Sequence, residues 1–502
     1  MLRVRQLIEP LVPSTAQLLE DNLLPPNIEL LFNSSKTVRY PPFVYTLQKK
    51  HKWAFSHFGI FIEDLLRGML AEDWKDKLYE LYLETTKHYT HHDISKLVSK
   101  KDLYSAMGRF VNISKYIAEE FTGKKLLYNQ EYKHDVITGH PDIVTANVSE
   151  VYDVKTTTKF NSPTMKNNTI LQLSAYLALT RAAGYNPTLI GVVLPFQQLT
   201  LTYDLEYAEY DHKPFLKLLL EIARPRIYSL TDKLELATFL PIIGAHTKKA
   251  AGSVYKSLLN FYKEGVFTRP CQIFMRGNRG AKSVKLPDSD IAESLDFIEQ
   301  HKVKYFTHAS YAINLCHPCG IKTIDAEPEP WATNILREDL QLTSVTGGCG
   351  VVVHTGKAMH LSETEAYDQM YNSVLSVLDA ASEECPLLIE TPVDKGTELC
   401  GTPQTLAEFY LRFTVQQRKR VKICVDTCHV FAAGWFPYEY LVTFADLVGV
   451  GSIALIHLND AQWMKGSCHD GHMWVGQGCI GMAEMLKAIR WSAERDIPMV
   501  HE

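Results

Sequence analysis

The sequence predicts an α/β protein of two modules, the second a closed barrel of eight βα units, and three observations lead there. First, 502 residues exceed one ordinary domain, at roughly 150 residues per domain. Second, eight short apolar runs recur beyond the middle of the chain, each ending in polar or ionisable residues: FLPIIGAH, CQIFM, KYFTHAS, GVVVHTG, PLLIETP, VKICVDTCH, IALIHLND and IPMVHE. Third, all ten cysteines lie at or beyond Cys271, which separates two modules of different character rather than describing one disulfide-stapled fold.

Along the first module, FGIFIEDLLRGML and YSAMGRFVNISKYIAEEF carry apolar residues at helical spacing, while LLYNQEYKHDV, HPDIVTANV and EVYDVKT read as short strands. After Ala223 the stretch RPRIYSLTDKLELATF, with its proline and mixed polarity, marks a boundary. The modules are assigned to residues 1–232 and 233–502. Helical stretches separate most of the eight later runs, which makes them buried parallel strands, and closure into a barrel puts chemistry at their C-terminal ends.

Composition excludes several classes. Hydrophobic content of 46% with 22% charged residues is that of a globular protein, and no run approaches the roughly 18 apolar residues of a membrane span. The N-terminal MLRVRQLIEPLVPSTAQLLEDN meets Glu9, Pro10 and Pro13 too early for a secretion signal, so an intracellular protein, in cytoplasm or nucleus, is expected. The net charge of -5 does not advertise a polyanion partner. Locally, however, Lys248, Lys249, Lys256, Lys263, Arg269, Arg276, Arg279, Lys282 and Lys285 face only Glu264, a candidate phosphate-contacting surface. Cys316 and Cys319, in CHPC, superficially match a redox motif, but free thiols in a reducing compartment are expected.

The predicted strand ends carry His308, His354, Glu390, Asp426, His429 and His457. The loop after the seventh strand adds Asp470 and His472, and the last strand adds Glu502. Imidazole and carboxylate donors together suit zinc or a similar divalent ion, and nine are too many for one tetrahedral site, so a cluster is expected.

The motifs IGAH, THASYAINLCHP, VDTCHVFAAG, IHLND and VGQGCIG resemble those of the endonuclease IV (family 2 AP endonuclease) proteins from Ile243 onward. The resemblance implies a TIM barrel with three zinc ions. His308 and His354 would hold one, with Glu390 bridging to a second held also by Asp426, His457 and Glu502; His429, Asp470 and His472 would bind the third. It further implies hydrolysis 5′ to abasic sites in double-stranded DNA, leaving a 3′-hydroxyl and a 5′ deoxyribose phosphate, with Glu390 at the catalytic centre. Clustered zinc lowers the pKa of a bound water and neutralises phosphate charge. Arg279 and Tyr311 match positions that insert into the duplex around the flipped nucleotide, and Lys248 and Lys249 join them as DNA-binding candidates.

Two departures stand out. The family has Arg between the Asp and His of the third-zinc unit, where this chain has Gly471, so one phosphate contact is expected to be lost. The sequence also stops at Glu502, so either another segment covers the last strand or the chain is incomplete; a frayed terminus would hold the second zinc weakly.

In the first module, GHPDIV and VYDVKTTTK set Asp142, then Asp153 and Lys155, on what should be adjacent strands of a hairpin. Two carboxylates holding Mg²⁺ or Mn²⁺ beside a lysine that positions water is nuclease chemistry. Gln172 and Tyr176 follow on one helix face. The pattern resembles the RecB-like and phage exonuclease-like PD-(D/E)XK nucleases, and Gly59 and Glu63 resemble their helical motif, with Glu63 as a further metal-side residue; Glu131 is a further candidate. This implies a second nuclease activity, on DNA ends or single strands. Two alternatives remain: a sugar-isomerase-like metal enzyme on the same barrel type, and a DNA-binding protein with one catalytically dead module. A monomer is expected, and fused repair modules of this kind fit a large DNA virus.

Overall fold

The computed structural model describes residues 2–32, 117, 121–155, 162–195, 199–205, 210–226, 229–247, 252–263, 269–318 and 330–502. Gly59, Glu63, Lys248, Lys249, Glu264 and Cys319 lie outside them. The chain divides into two compact units, Met1–Arg224 and Pro225–Glu502. This boundary falls before the 232/233 expected, because the helix Leu230–Phe239 sets Leu236 and Phe239 against the second unit's core. Its Glu235 also pairs with Arg490, Nη2 to Oε2 at 2.8 Å.

The first unit begins with β1 (Leu2–Arg3), followed after the helix Val4–Ile8 by β2 (Leu126–Tyr128), β3 (Tyr132–His134), β4 (Ile137–Gly139), β5 (Ile143–Thr145), β6 (Glu150–Val154), β7 (Leu189–Leu194) and β8 (Leu199–Asp204). Among the described residues two sheets form, β1-β4-β3 and β2-β5-β6-β7-β8. β5 and β6 are an antiparallel hairpin with Ile143 opposite Tyr152, and β6 runs parallel to β7. Val151, Ile190, Val192 and Val193 are wholly buried, the run of β-branched side chains a covered strand requires. The helix Pro163–Ala182 packs on these strands. It starts where the Ser162 side chain accepts from Met165 N at 3.3 Å with proline in the first helical position, and it buries Leu171, Leu173, Leu177 and Leu179.

The second unit is a closed parallel barrel, a TIM barrel, of β9 (Ile243–His246), β10 (Cys271–Phe274), β11 (Tyr305–His308), β12 (Val351–His354), β13 (Leu387–Glu390), β14 (Val421–Asp426), β15 (Ile453–His457) and β18 (Met499–His501). Each of the eight apolar runs supplies one strand. Closure is made by β18 beside β9, Met499 pairing with Ile243 and His501 with Ala245. Between β15 and β18 a short excursion forms the antiparallel pair β16 (Asp460–Ala461) and β17 (His472–Met473).

Side chains alternate along a strand, and the alternation positions the site. Phe306, Val352, Leu388, Cys424, Leu455 and Val500 form one buried cluster, while their neighbours Val351, Val353, Leu387, Ile389, Ile423, Val425 and Met499 belong to the larger cluster shared with the helices. Two residues beyond each member of the first cluster, on the same side of the strand, come His308, His354, Glu390, Asp426, His457 and Glu502. One apolar layer thus plugs the barrel and the next is the site. Among the described residues, no helix is long and apolar enough to cross a membrane.

Candidate functional site

Glu390 and Asp426 are fully buried, His308 nearly so, and each ends its own barrel strand. Asp426 also starts the helix Thr427–Ala432: its Oδ1 accepts from Cys428 N at 2.7 Å and His429 N at 3.0 Å, which turns His429 back into the barrel mouth. Asp470 and His472 arrive from the excursion after β15. That loop is organised by buried Asp460, which accepts from Gly476 N and Ile480 N, both at 2.9 Å.

The nine strand-end and loop donors meet in three groups whose ligand atoms lie within 4.8 Å of one another: His308, His354 and Glu390; Glu390, Asp426, His457 and Glu502; His429, Asp470 and His472. Asp426, Cys428 and His472 also approach this closely. Glu390 is the shared member. Its Oε2 lies 3.1 Å from His308 Nε2 and 3.4 Å from His354 Nε2, while Oε1 lies 2.8 Å from His457 Nδ1. His472 Nε2 is 3.1 Å from Asp470 Oδ1 and 3.6 Å from Asp426 Oδ2.

Hydrogen bonds behind these rings settle which nitrogen faces inward. His308 Nδ1 lies 2.7 Å from the Ala309 carbonyl and His429 Nδ1 2.8 Å from that of Thr391. A carbonyl only accepts, so Nδ1 carries the proton and Nε2 is left as a donor atom for a cation. The buried Nε2 atoms of His429 and His472 face Asp470 Oδ1 at 3.5 Å and 3.1 Å without a well-aligned hydrogen bond. Burial would lower the basicity of His429, yet Asp426, Asp470 and Glu390 raise it well above the ordinary value; Asp426 and Asp470 do the same to His472. Burial alone would push the Glu390 carboxyl up, but the charges of His354 and His457 and hydrogen bonds from His308 and His457 hold it well below the usual range. Buried carboxylates held ionised call for compensating positive charge, and mixed imidazole and carboxylate donors suit zinc or a similar divalent cation.

Above these groups opens a cleft of about 460 Å³ lined by Arg279, Tyr311, His354, Glu390, Asp470 and Glu502, among others. Arg279 is exposed. Tyr311, 45% exposed, stands edge-on to the His308 ring with centroids 5.0 Å apart. Arg276 leaves the basic surface expected of this segment: it is buried, 2.8 Å from Asp339 and 3.1 Å from Glu338. At Gly471 an added Cβ would come within 2.8 Å of Trp463 Nε1 and 3.0 Å of Gln462 Oε1, so a larger residue there would have to displace both. Glu502 is not frayed: its N–H donates to Asn459 Oδ1 at 3.0 Å, and its side chain is 9% exposed. Cys316 is buried, and burial pushes its thiol up to about 12, away from redox reactivity.

In the first unit, Asp153 on β6 is buried and ion-paired to Lys155 Nζ at 2.7 Å. Lys155 Nζ donates to Gln172 Oε1 at 2.6 Å, and Gln172 Nε2 donates to Asp153 Oδ1 at 2.9 Å and Tyr176 Oη at 2.8 Å. Asp142, just before β5, accepts the Val154 N–H at 2.7 Å. Burial and the Asp153 charge push the Tyr176 hydroxyl far up. Glu131 stands apart, paired with Lys133 at 2.6 Å and with Thr138.

Sequence reasoning missed the residues that orient the donors: Gln272, Asn459 and Thr391, all wholly buried. Asn459 Nδ2 donates to Asp426 Oδ2 at 2.7 Å, and Asp426 N donates to Thr391 Oγ1 at 2.9 Å. A polar residue interrupting an apolar run, as Gln272 does in CQIFM, was the signal available.

The family model described as "Xylose isomerase-like TIM barrel" matches residues 271–502. The relative named endonuclease 4 from Symbiobacterium thermophilum is 33% identical over 239 residues, 46% of this chain and 82% of that one. Its counterpart from Haloarcula marismortui is 31% identical over 274 residues, 52% of this chain and 91% of that one. That from Acanthamoeba polyphaga mimivirus is 26% identical, over 48% of this chain and 79% of that one. Among solved structures, endonuclease IV from Thermus thermophilus is 23% identical with a TM-score of 0.43, covering 52% of this chain and 91% of that one. Through its C-terminal barrel, the chain belongs to the endonuclease 4 family.

Proposed function

We propose that the protein is a DNA repair nuclease whose barrel hydrolyses the phosphodiester 5′ to an abasic site, leaving a 3′-hydroxyl and a 5′ deoxyribose phosphate. The observation that carries this reading is the shared carboxylate Glu390 standing between two donor groups, with a third beside them, in a chain of this family. His308 and His354 with Glu390 would hold one zinc ion, Glu390, Asp426, His457 and Glu502 a second, and His429, Asp470 and His472 a third. When bound, such ions supply Lewis acidity, activating water and neutralising phosphate charge. In the reaction the water oxygen bonds to phosphorus and the 3′ oxygen leaves with a proton. Arg279 and Tyr311, on the rim of the cleft, would contact the duplex around a nucleotide whose missing base makes extrusion cheap. Lys248 and Lys249 would add phosphate contacts.

A second activity is favoured by the compact set of Asp142, Asp153, Lys155 and Gln172. The two carboxylates would hold Mg²⁺ or Mn²⁺ and Lys155 would position water at the phosphate of a DNA end or single strand, with Tyr176 steadying Gln172 and Glu63 as an additional candidate.

The test is incision of a duplex bearing one synthetic abasic site, with zinc and then Mg²⁺ supplied. His429→Ala is expected to abolish the cut 5′ to the lesion, while Lys155→Ala leaves it intact and removes Mg²⁺-dependent degradation. About three zinc per purified chain is expected. A wild-type chain that holds zinc but leaves the lesion uncut would sink the proposal in favour of a binding scaffold, and one or two Mg²⁺ or Mn²⁺ in the barrel would favour an isomerase.

A further inference from the structure

Three donor histidines have their protonation pattern set from behind, but not by the same means. For His308 and His429 the partner is a backbone carbonyl, which no substitution of the partner residue removes. For His457 it is a side chain. His457 Nε2 lies 2.9 Å from Gln272 Oε1, and Gln272 is wholly buried on β10. The orientation of the Gln272 amide follows from its other end, where Nε2 lies 2.7 Å from Glu502 Oε1. A carboxylate accepts and cannot donate, so the nitrogen must face Glu502 and the oxygen His457. The same nitrogen lies 3.1 Å from His246 Nδ1, which is itself 3.2 Å from Glu502 Oε1.

The consequence falls on two donors at once. The proton of His457 is drawn to Nε2, leaving Nδ1 as its donor atom, 2.8 Å from Glu390 Oε1 and 3.2 Å from Glu502 Oε2. Glu502 is gripped by Oε1, leaving Oε2 turned to the same point. We infer that Gln272 is a positioning residue for the metal centre: one amide selects the His457 tautomer and aims the Glu502 carboxylate, so that both converge with Glu390 and Asp426 on a single divalent cation. This rests on the metal reading above.

The test uses the full chain loaded with Zn²⁺ and competed with a fluorescent zinc chelator. Gln272→Met keeps the side-chain volume and removes both hydrogen-bonding ends; Gln272→Glu keeps an acceptor for His457 and removes the donor to Glu502. Loss of an outer hydrogen bond to a metal ligand typically weakens metal affinity about 10- to 100-fold, so both variants are expected to release their weakest zinc by that factor more readily than wild type. The rise in Tm on adding zinc should shrink, a change that a merely structural residue, lowering the metal-free Tm alone, would not produce. Zinc release and zinc-induced Tm rise equal to wild type in both variants would overturn the inference. If Gln272→Met fails to fold by circular dichroism, the same comparison on Gln272→Glu decides. A wild-type chain that binds no zinc would overturn the metal reading and this inference with it.

Discussion

The guanidinium of Arg276 is held between Glu338 and Asp339, two carboxylates of the helix Trp331–Val345, with Asp339 wholly buried. Removing one member of a buried ion pair leaves the other charge in a poor solvent, at about 3–5 kcal/mol. Arg276→Met is therefore expected to lower unfolding stability by that amount in urea titration, whereas an exposed phosphate contact would lose DNA affinity at unchanged stability. Burial is what the sequence conceals at this scale: Arg276 and Arg279 read alike in MRGNRG, and only packing separates the buried strut from the exposed rim. The convergence of the nine candidate donors was legible where histidine or carboxylate ends an apolar run, as at His308, His354, Glu390, Asp426, His457 and Glu502, and less so for Asp470 and His472 in the loop after β15. Gln272 and Asn459 were not, since an amide's value depends on what faces each of its ends.

Gly244 on β9 sits where an added Cβ would lie 1.6 Å from the Pro270 carbonyl oxygen, backbone that cannot swing aside as a side-chain tip would. Overpacking of this kind costs typically about 1–3 kcal/mol, and Gly244→Ala should reach the upper end, because the strain falls where β9 pairs with both β10 and β18. Thermal unfolding of the variant checks this; an unchanged Tm would mean the strand can shift freely. Elements of the barrel were readable because a strand covered on both sides must be a continuous apolar run, and six of the eight runs, those of β11 to β15 and β18, end where the candidate donors begin. The β16–β17 pair was not foreseen, since each strand has two residues, too few for alternation to register.

At the scale of the molecule, the division into Met1–Arg224 and Pro225–Glu502 sets the donors of the barrel and the Asp153 cluster in separate compact units. Ligand binding stabilises the unit it binds. Differential scanning calorimetry is therefore expected to show two transitions, of which chelation of zinc lowers one, and a single transition moving as a whole would contradict that. The cysteine asymmetry points to two modules, and the units divide at Arg224/Pro225 because Leu236 and Phe239 of LTDKLELATF lie against the barrel core although the helix carries no clear apolar face.

The closing of the barrel carries one more implication. The second donor group draws on β13, β14, β15 and the residue after β18, and its Glu502 is held by Gln272 of β10 and Asn459 beyond β15. No local stretch of chain can assemble it, because the strand pairing that brings Glu502 home joins residues 243–245 to 499–501. Such distant pairings are among the slow events of folding. On the proposed metal reading, a cation held by this group would be captured only once the ring has shut, so the geometry that concentrates charge at one end of the barrel would make its binding a report of closure.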